Sequence, residues 1–345
     1  MFRIFRFLLF DVCMLALVLY CMIFNDLVLY GLAQGKGQLR VIMDVRKVEE
    51  VMRDPAFPDS LKKKLALINE IRQFASDSLG LKPSSNYTTI YDQHGKPVLW
   101  TITACEPFRL KAKEWNFPFL GTVSYKGFFN YEKGKKEAGE LLEKGYDVDY
   151  GAVSGWSTLG WFRDPILSSM LGRNEGHIAN LIIHELTHGT IYVKNRVDFN
   201  ENLASFVGDK GAERFLAFKY GSHSKIAEEY QRSKSDRKIY NMYILQKAGQ
   251  LDSLYKSFTP NQSVMQKEMK KMAFIYQTIE GLQAIPLYHK KSYTGYTHDA
   301  LVEKNAFFMS FRRYDSEYDV FEKEFREQYH SDIRRYIEAL VKRWN

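Results

Sequence analysis

Two spacings of hydrophobic residues divide this chain into a strand-rich part and a helical part. Apolar residues three and four positions apart predict an amphipathic helix over Ser60–Leu79, which Gly80 ends. Over residues 85–165 the apolar runs are short and bounded by turn residues, which is typical of strands. The predicted elements of this part are strands at Tyr87–Tyr91, Val98–Ala104, Gly121–Phe129, Asp149–Val153 and Ser157–Phe162, and a charged helix at Tyr131–Lys144.

Helical spacing dominates after residue 165. Leu181–Tyr192 is apolar enough to predict a buried helix, and Phe199–Gly208 predicts a second one. Further helices are predicted at Ala212–Tyr220, Ser224–Lys247, Asn261–Gly281 and Tyr318–Val341. Strands that come first and helices that come later favour one α+β domain over residues 35–345. Its predicted parts are strand-rich (85–165), two central helices (177–215) and a mainly helical C-terminal half (216–345).

The first 34 residues predict a targeting segment. Arg3 and Arg6 precede an apolar stretch from Phe7 to about Leu32. Basic residues before an apolar segment place the N-terminus in the cytoplasm and export the chain after that segment. We expect an uncleaved membrane anchor, with a signal peptide cleaved near Gly31–Ala33 and a buried globular helix as the alternatives. Either export route puts the remaining residues outside the cytoplasm.

Composition and charge exclude some classes of function. A chain of 345 residues can bury a large core, and its net charge of +8 is modest for that size. No basic-aromatic recognition module is present, so we predict no nucleic-acid partner. Cys13 and Cys21 lie in the apolar N-terminus and Cys105 is alone, so the cysteines predict no disulfide framework.

The segment His184-Glu185-Leu186-Thr187-His188 is the strongest chemical signal in the sequence. Residues four apart share one face of a helix, so both imidazoles can bind one metal ion. Glu185 lies beside them, where a carboxylate can hold and deprotonate a water molecule. This HExxH arrangement is that of zinc peptidases and predicts one Zn²⁺ ion. The alternative is a pair of buried histidines held by hydrogen bonds alone.

A catalytic zinc site takes three protein ligands and leaves one position for water. We predict Glu201 as the third ligand, because it follows His188 after a polar connector and precedes the buried stripe of the next helix. The alternative is that Glu201 only stabilises the start of that helix electrostatically. His223 is a rival, but its Gly-Ser-His-Ser context is typical of a solvated loop. Glu185 would act as general base and then pass its proton to the leaving amine.

Several segments together resemble the bacterial family of putative or predicted aminopeptidases, which are HExxH metalloproteins with export signals. The resemblance extends from about Gly35 to Phe321, and its most specific segment is Ser157–Pro165, with the sequence STLGWFRDP. The other matching segments are Tyr125–Phe129, His184–His188, Phe199–Glu201, Asn305-Ala306 and Tyr314. The resemblance implies zinc, a gluzincin-like zincin core and peptidase chemistry. Ser205 stands where members often have a supporting Asp, and Asp209 lies a further turn along the helix.

Two predictions concern substrate and transition state. In zinc peptidases an edge strand beside the metal-binding helix pairs with the substrate backbone. We expect this role for four consecutive residues, Thr158, Leu159, Gly160 and Trp161. The alternative is ordinary core packing. Tyr314 is our candidate oxyanion donor, although such a tyrosine more often packs a helix against the core.

We therefore expect a zinc peptidase of the bacterial cell envelope, anchored in the inner membrane with its catalytic domain on the periplasmic side. Its partners would be a peptide or protein substrate and the membrane. The alternative is a catalytically idle envelope protein that holds zinc and binds peptides or a protein partner. Glu185 favours the enzyme, because an idle descendant need not keep a base. A scaffold without metal is a third possibility.

Overall fold

The computed structural model describes residues 2–23, 25–117, 121–153, 163–194, 196–293, 296–314 and 318–344. The chain divides into two compact units, Met1–Asp44 and Val45–Asn345. The first unit consists of helices α1 (Phe2–Ile23) and α2 (Asn25–Met43), so the predicted boundary after residue 34 falls within α2. Within the described ranges no helix alone has the length and apolar character of a membrane span. Phe10–Ile23 and Asp26–Met43 form a bent pair that together reaches this length and apolar character.

The first half of the second unit alternates short strands with helices. Its elements are β1 (Arg46–Lys47), α3 (Val48–Arg53), α4 (Asp59–Asp77), β2 (Thr89–Tyr91), β3 (Trp100–Cys105), β4 (Trp115–Phe117), β5 (Gly121–Val123), β6 (Lys126–Phe128), α5 (Tyr131–Glu143), β7 (Asp147–Ala152) and β8 (Ile166–Leu167). They form sheets with the strand orders β1-β2-β8, β6-β3-β7 and β4-β5. The prediction of one strand over Gly121–Phe129 is wrong, because β5 pairs with β4 whereas β6 pairs with β3 in another sheet.

The second half is helical, as predicted. Its helices are α6 (Glu175–Thr190), α7 (Val197–Tyr220), α8 (Lys225–Lys256), α9 (Val264–Leu282), α10 (Tyr296–Glu303), α11 (Asn305–Tyr314), α12 (Tyr318–Tyr329) and α13 (Ile333–Trp344). The single helix predicted over Tyr318–Val341 is two helices. His330 and Ser331, with φ of 51° and 60°, take the left-handed conformation that ends a helix. The mixture of helices and small sheets confirms the α+β class.

The chain reaches its central helices from the β1-β2-β8 sheet. Strand β8 runs parallel to β2, with Ile90 opposite Ile166, and leads through a 3₁₀ turn at Ser168–Gly172 into α6. Helix α6 is held between α4 and α7, and Ile178, Ile182 and Ile183 are fully buried. A second core lies among α8, α9 and α11. The HExxH residues therefore lie on a helix that is packed between two others.

Candidate functional site

Helix α6 places both histidines of the HExxH segment on one face. The Asn174 side chain caps the helix by accepting the backbone N–H of His177 at 2.9 Å. Near the other end, the Thr187 hydroxyl donates to the Ile183 carbonyl at 2.8 Å, which satisfies a hydroxyl that is buried. His184 and His188, one turn apart, bring their Nε2 atoms to 3.2 Å from each other.

Glu201, five residues into α7, completes a three-residue cluster. Its Oε2 lies 3.5 Å from His184 Nε2, and its Oε1 lies 3.5 Å from His188 Nε2. One ligand atom from each of the three residues lies within 4.8 Å of the others. The structure thus brings together the three residues predicted as metal ligands. The rival, His223, lies exposed in the turn between α7 and α8.

Asn200 fixes the position of Glu201. Its side-chain amide donates to the Val193 carbonyl at 2.8 Å, and its side-chain oxygen accepts the Val193 backbone N–H at 2.9 Å. This two-point attachment ties the start of α7 to the connector that follows α6. On the other side of Glu201, the Asn202 amide donates to the Asp198 carbonyl at 2.7 Å. The sequence analysis missed both asparagines, although they flank the predicted ligand.

Close packing of α6 against α7 depends on two glycines within α7. A Cβ atom at Gly208 would lie 2.9 Å from the Asn180 carbonyl oxygen and 3.2 Å from His184 Cβ. A Cβ atom at Gly211 would lie 2.8 Å from Ile183 Cγ2. We predicted two helices on either side of these glycines, but α7 is continuous from Val197 to Tyr220. The glycines bring two helices together instead of interrupting one.

The two imidazoles have opposite pKa shifts. Burial lowers the pKa of His184, but the hydrogen bond to Glu201 and the negative charges of Glu185 and Glu201 outweigh this effect, so the pKa is raised. Burial and the charge of His184 lower the pKa of His188 to about 4, against the opposing effect of Glu201. Two charged rings could not lie this close together, and His188 is therefore neutral at neutral pH, as a metal ligand must be. Its Nδ1 is buried without a hydrogen-bond partner among the described residues.

A polar network lies directly behind His184. The Asp209 carboxylate accepts hydrogen bonds from the Asn180 amide at 2.7 Å, the Tyr230 hydroxyl at 3.1 Å and the Arg237 guanidinium at 2.5 Å. Asn180 lies one turn before His184 on α6, and the negative charge of Asp209 also raises the pKa of His184. Asp209 therefore acts on this histidine through its charge and fixes the preceding turn of α6.

Glu185, the predicted general base, is half-buried on α6. Its negative charge raises the pKa of His184 and of Tyr87. Thr158, Leu159, Gly160 and Trp161 lie outside the described residues, and the substrate-binding role of these four stays a prediction. Tyr314 is the last residue of α11, and its side chain lies outside the described part of the chain. The oxyanion role of Tyr314 likewise stays a prediction.

Tyr87 is a buried residue that the sequence analysis treated only as the start of a strand. Its backbone N–H donates to the Asp164 carbonyl at 2.7 Å. The side-chain oxygen of the preceding Asn86 accepts the Asp164 backbone N–H at 3.2 Å. Asp164 is 1% exposed. It belongs to the STLGWFRDP segment, and this segment was the signal in the sequence that could have pointed to the contact. These contacts join the chain before β2 to the chain before β8.

Comparison with known proteins identifies the family. The profile of the family described as Putative aminopeptidase matches residues 29–344, which is most of the chain. The searches of curated proteins and of solved structures gave no match. The matched range includes the HExxH segment, Glu201 and the STLGWFRDP segment. The chain therefore belongs to the putative aminopeptidase family.

Proposed function

We propose that the protein is a zinc-dependent peptidase with a gluzincin-like centre. The observation that carries the proposal is the convergence of two imidazole nitrogens and one carboxylate beside a fourth residue, Glu185, that can act as a base. The name of the family supports peptide-bond hydrolysis. We propose His184, His188 and Glu201 as the zinc ligands.

The spacing of the donor atoms supports a tetrahedral ion. Zinc with bonds of about 2.0–2.1 Å to its ligands holds neighbouring ligand atoms roughly 3.3–3.4 Å apart. The corresponding separations here are 3.2, 3.5 and 3.5 Å. Two imidazole nitrogens and one carboxylate oxygen also form the donor set of catalytic zinc sites that leave the fourth position open. Zinc bound there supplies a Lewis acid that polarises a carbonyl and acidifies water.

The residues of the chain have separate roles in this proposal. Glu185 takes a proton from the attacking water and then delivers it to the leaving amine, so that its carboxylate is regenerated. Residues 158–161 would pair with the substrate backbone as an added strand. The side chain of Tyr314 would stabilise negative charge that develops on the carbonyl oxygen.

We also propose that the N-terminal segment tethers the protein to the bacterial inner membrane with the second unit in the periplasm. The support is in the sequence, where Arg3 and Arg6 precede the apolar stretch. Protease added to spheroplasts should degrade the second unit while the membrane is intact. Protection of the second unit until lysis would contradict this topology.

The decisive experiment for the activity uses the full chain, purified in mild detergent and loaded with zinc. It is incubated with a mixed peptide library, and the products are read by mass spectrometry. The variant Glu185→Gln should keep zinc and lose all cleavage. A matched control, Glu324→Gln, removes a carboxylate that binds Arg343 and Tyr336 in the C-terminal helices, and it should cleave normally.

The products determine the class of enzyme. Loss of single residues from peptide N-termini, dependent on Glu185, would establish an aminopeptidase, and internal cuts would establish an endopeptidase. A zinc-loaded protein with no Glu185-dependent product would refute the proposed activity and favour the peptide-binding alternative. A protein that binds no zinc would refute the proposed metal site.

A further inference from the structure

We propose that Arg237 binds a carboxylate of the substrate, so that the enzyme favours peptides with a negative charge near the cleaved bond. The inference rests on the proposed peptidase function and names a class of substrate for it. Arg237 belongs to α8, whereas the proposed zinc ligands belong to α6 and α7. Together with Ser233 of α8 and His177 of α6, it forms what we call the anion subsite.

Hydrogen bonds connect Arg237 to the helix that carries the two histidines. Its Nη2 atom donates to Asp209 Oδ1 at 2.5 Å, and the Asn180 amide of α6 donates to the same oxygen at 2.7 Å. The guanidinium and the Asn180 amide therefore meet at one carboxylate oxygen. Asn180 lies one helical turn before His184, so Arg237 is placed beside the turn of α6 that leads to this proposed zinc ligand.

The Arg237 side chain is accessible from solvent although its partner is buried. It is 42% exposed, whereas the Asp209 side chain is 5% exposed. Asp209 accepts from one amino group of the guanidinium, and the planar fork has five N–H donors in all. A carboxylate that arrives from solvent can therefore meet another edge of the fork, which suits two parallel hydrogen bonds.

Other carboxylates close to Arg237 in the sequence or on the neighbouring helix have their own cationic partners. Glu213 of α7 accepts a hydrogen bond from Lys234. Asp236 is bonded to the backbone N–H of His289 at 2.7 Å and to its ring at 2.9 Å. Within the described part of the chain neither carboxylate is hydrogen-bonded to Arg237, so neither competes with a substrate for it.

Two more polar groups lie beside Arg237. Ser233 precedes it by one turn on α8, and the Ser233 hydroxyl lies 3.0 Å from His177 Nε2. His177 lies two turns before His184 and therefore on nearly the same face of α6. Burial, followed by the positive charge of Arg237, lowers the pKa of His177, so this ring is neutral at neutral pH. The anion subsite thus lies along the ligand-bearing face of α6, on the N-terminal side of His184.

The geometry of α6 indicates where on the substrate the charge is expected. Asn180 and His184 are about 6 Å apart along the helix axis. An extended peptide advances about 3.3 Å per residue. A carboxylate at Arg237 therefore belongs to a residue roughly two or three positions from the cleaved bond. A glutamate side chain and the C-terminus of a short peptide both present this chemistry.

The test measures kcat/KM of the full-length, zinc-loaded protein on pairs of peptides that it cleaves. One set of pairs has glutamate or glutamine at a single position, which is moved along the peptide on either side of the cleaved bond. Another pair ends in a free carboxylate or in an amide. We expect the wild type to prefer the charged peptide of one pair by about tenfold, as for a hydrogen bond to a charged group. The pair that shows the preference distinguishes a side chain from the C-terminus.

Two variants test whether the preference depends on Arg237. Arg237→Gln removes the charge and should bring the ratio of the two kcat/KM values close to one. Lys234→Gln is the matched control, because Lys234 is also a cation of α8 that binds a carboxylate of α7, but its side chain is only 18% exposed. It should keep the wild-type ratio. A general loss of activity cancels in this ratio, so a purely structural role of Arg237 would not change it.

The outcomes separate the subsite from the activity. A wild type without charge preference, or an Arg237→Gln variant that keeps it, would overturn the anion subsite alone. A wild type without Glu185-dependent cleavage would instead overturn the proposed peptidase function, and the subsite with it.

A double variant covers failure to fold. If Arg237→Gln unfolds, Asp209→Asn is added, so that a neutral hydrogen-bonded pair replaces the ion pair. A folded double variant that has lost the charge preference supports the subsite. A double variant with the wild-type preference, or a second failure to fold, overturns it.

Discussion

Replacement of Gly208 by alanine tests whether the metal cluster depends on close packing of α6 against α7. In an exposed helix this change stabilises a protein by about 1 kcal/mol, because alanine is the better helix former. At Gly208 the new methyl group would lie 2.9 Å from the Asn180 carbonyl oxygen, a backbone atom that cannot rotate away. Overpacking of this kind costs about 1–3 kcal/mol. After the gain of about 1 kcal/mol in helix propensity is subtracted, we expect a net destabilisation of roughly 0–2 kcal/mol.

Gly249→Ala is the matched control for this variant. Gly249 also lies within a helix, α8, but a Cβ atom there would meet nothing within 4 Å. We expect Gly249→Ala to raise the free energy of unfolding by about 1 kcal/mol, so the two variants should differ by roughly 1–3 kcal/mol in denaturant titrations. Because the new methyl group would also press on His184 Cβ, zinc affinity should fall about 10–100-fold in Gly208→Ala alone. Equal stabilities and equal zinc affinities would refute the reasoning.

Three further predictions concern buried polar groups. Burial and neighbouring carboxylates raise the pKa of Glu303 to about 8, so the folded state holds a proton that the unfolded state releases above its ordinary pKa. Stability therefore falls as pH rises towards 8, and Glu303→Gln should raise the unfolding free energy at pH 9 by on the order of 1–2 kcal/mol, with no gain at pH 4. Asp147→Asn removes the nearer carboxylate, at 2.6 Å, from the buried Lys271 ammonium and leaves it only Glu268 at 3.5 Å. It should cost about 2–3 kcal/mol in urea unfolding, and no loss would contradict this. Asn200→Ala removes both hydrogen bonds to Val193. It should lower the free energy of unfolding by about 1–3 kcal/mol and weaken zinc binding in a competition titration. Unchanged zinc affinity would show that the attachment does not position Glu201.

The sequence predicted those parts of the candidate site that depend on local spacing. His184 and His188 lie together because residues one turn apart share a helix face, and Glu201 follows on the next helix. The continuity of α7 could not be read from the sequence, because Gly208 is a poor helix former and is explained only by its contact with α6. Tyr87 was missed for the same reason. Its backbone, with a φ of 61°, is hydrogen-bonded to Asp164, a partner distant in the sequence.

The attachment of Asn200 to Val193 has a consequence for the order of assembly. His184, His188 and Glu201 lie on consecutive helices, and the hydrogen bonds between Asn200 and Val193 fix the connector between these helices. This cluster therefore has a low contact order and can form early in folding. The hydrogen bond between Tyr87 and Asp164, in contrast, closes a long loop of chain, which costs more conformational entropy. If the cluster binds zinc as proposed, the ion would therefore stabilise the pair of α6 and α7 independently of the long-range contact between Tyr87 and Asp164.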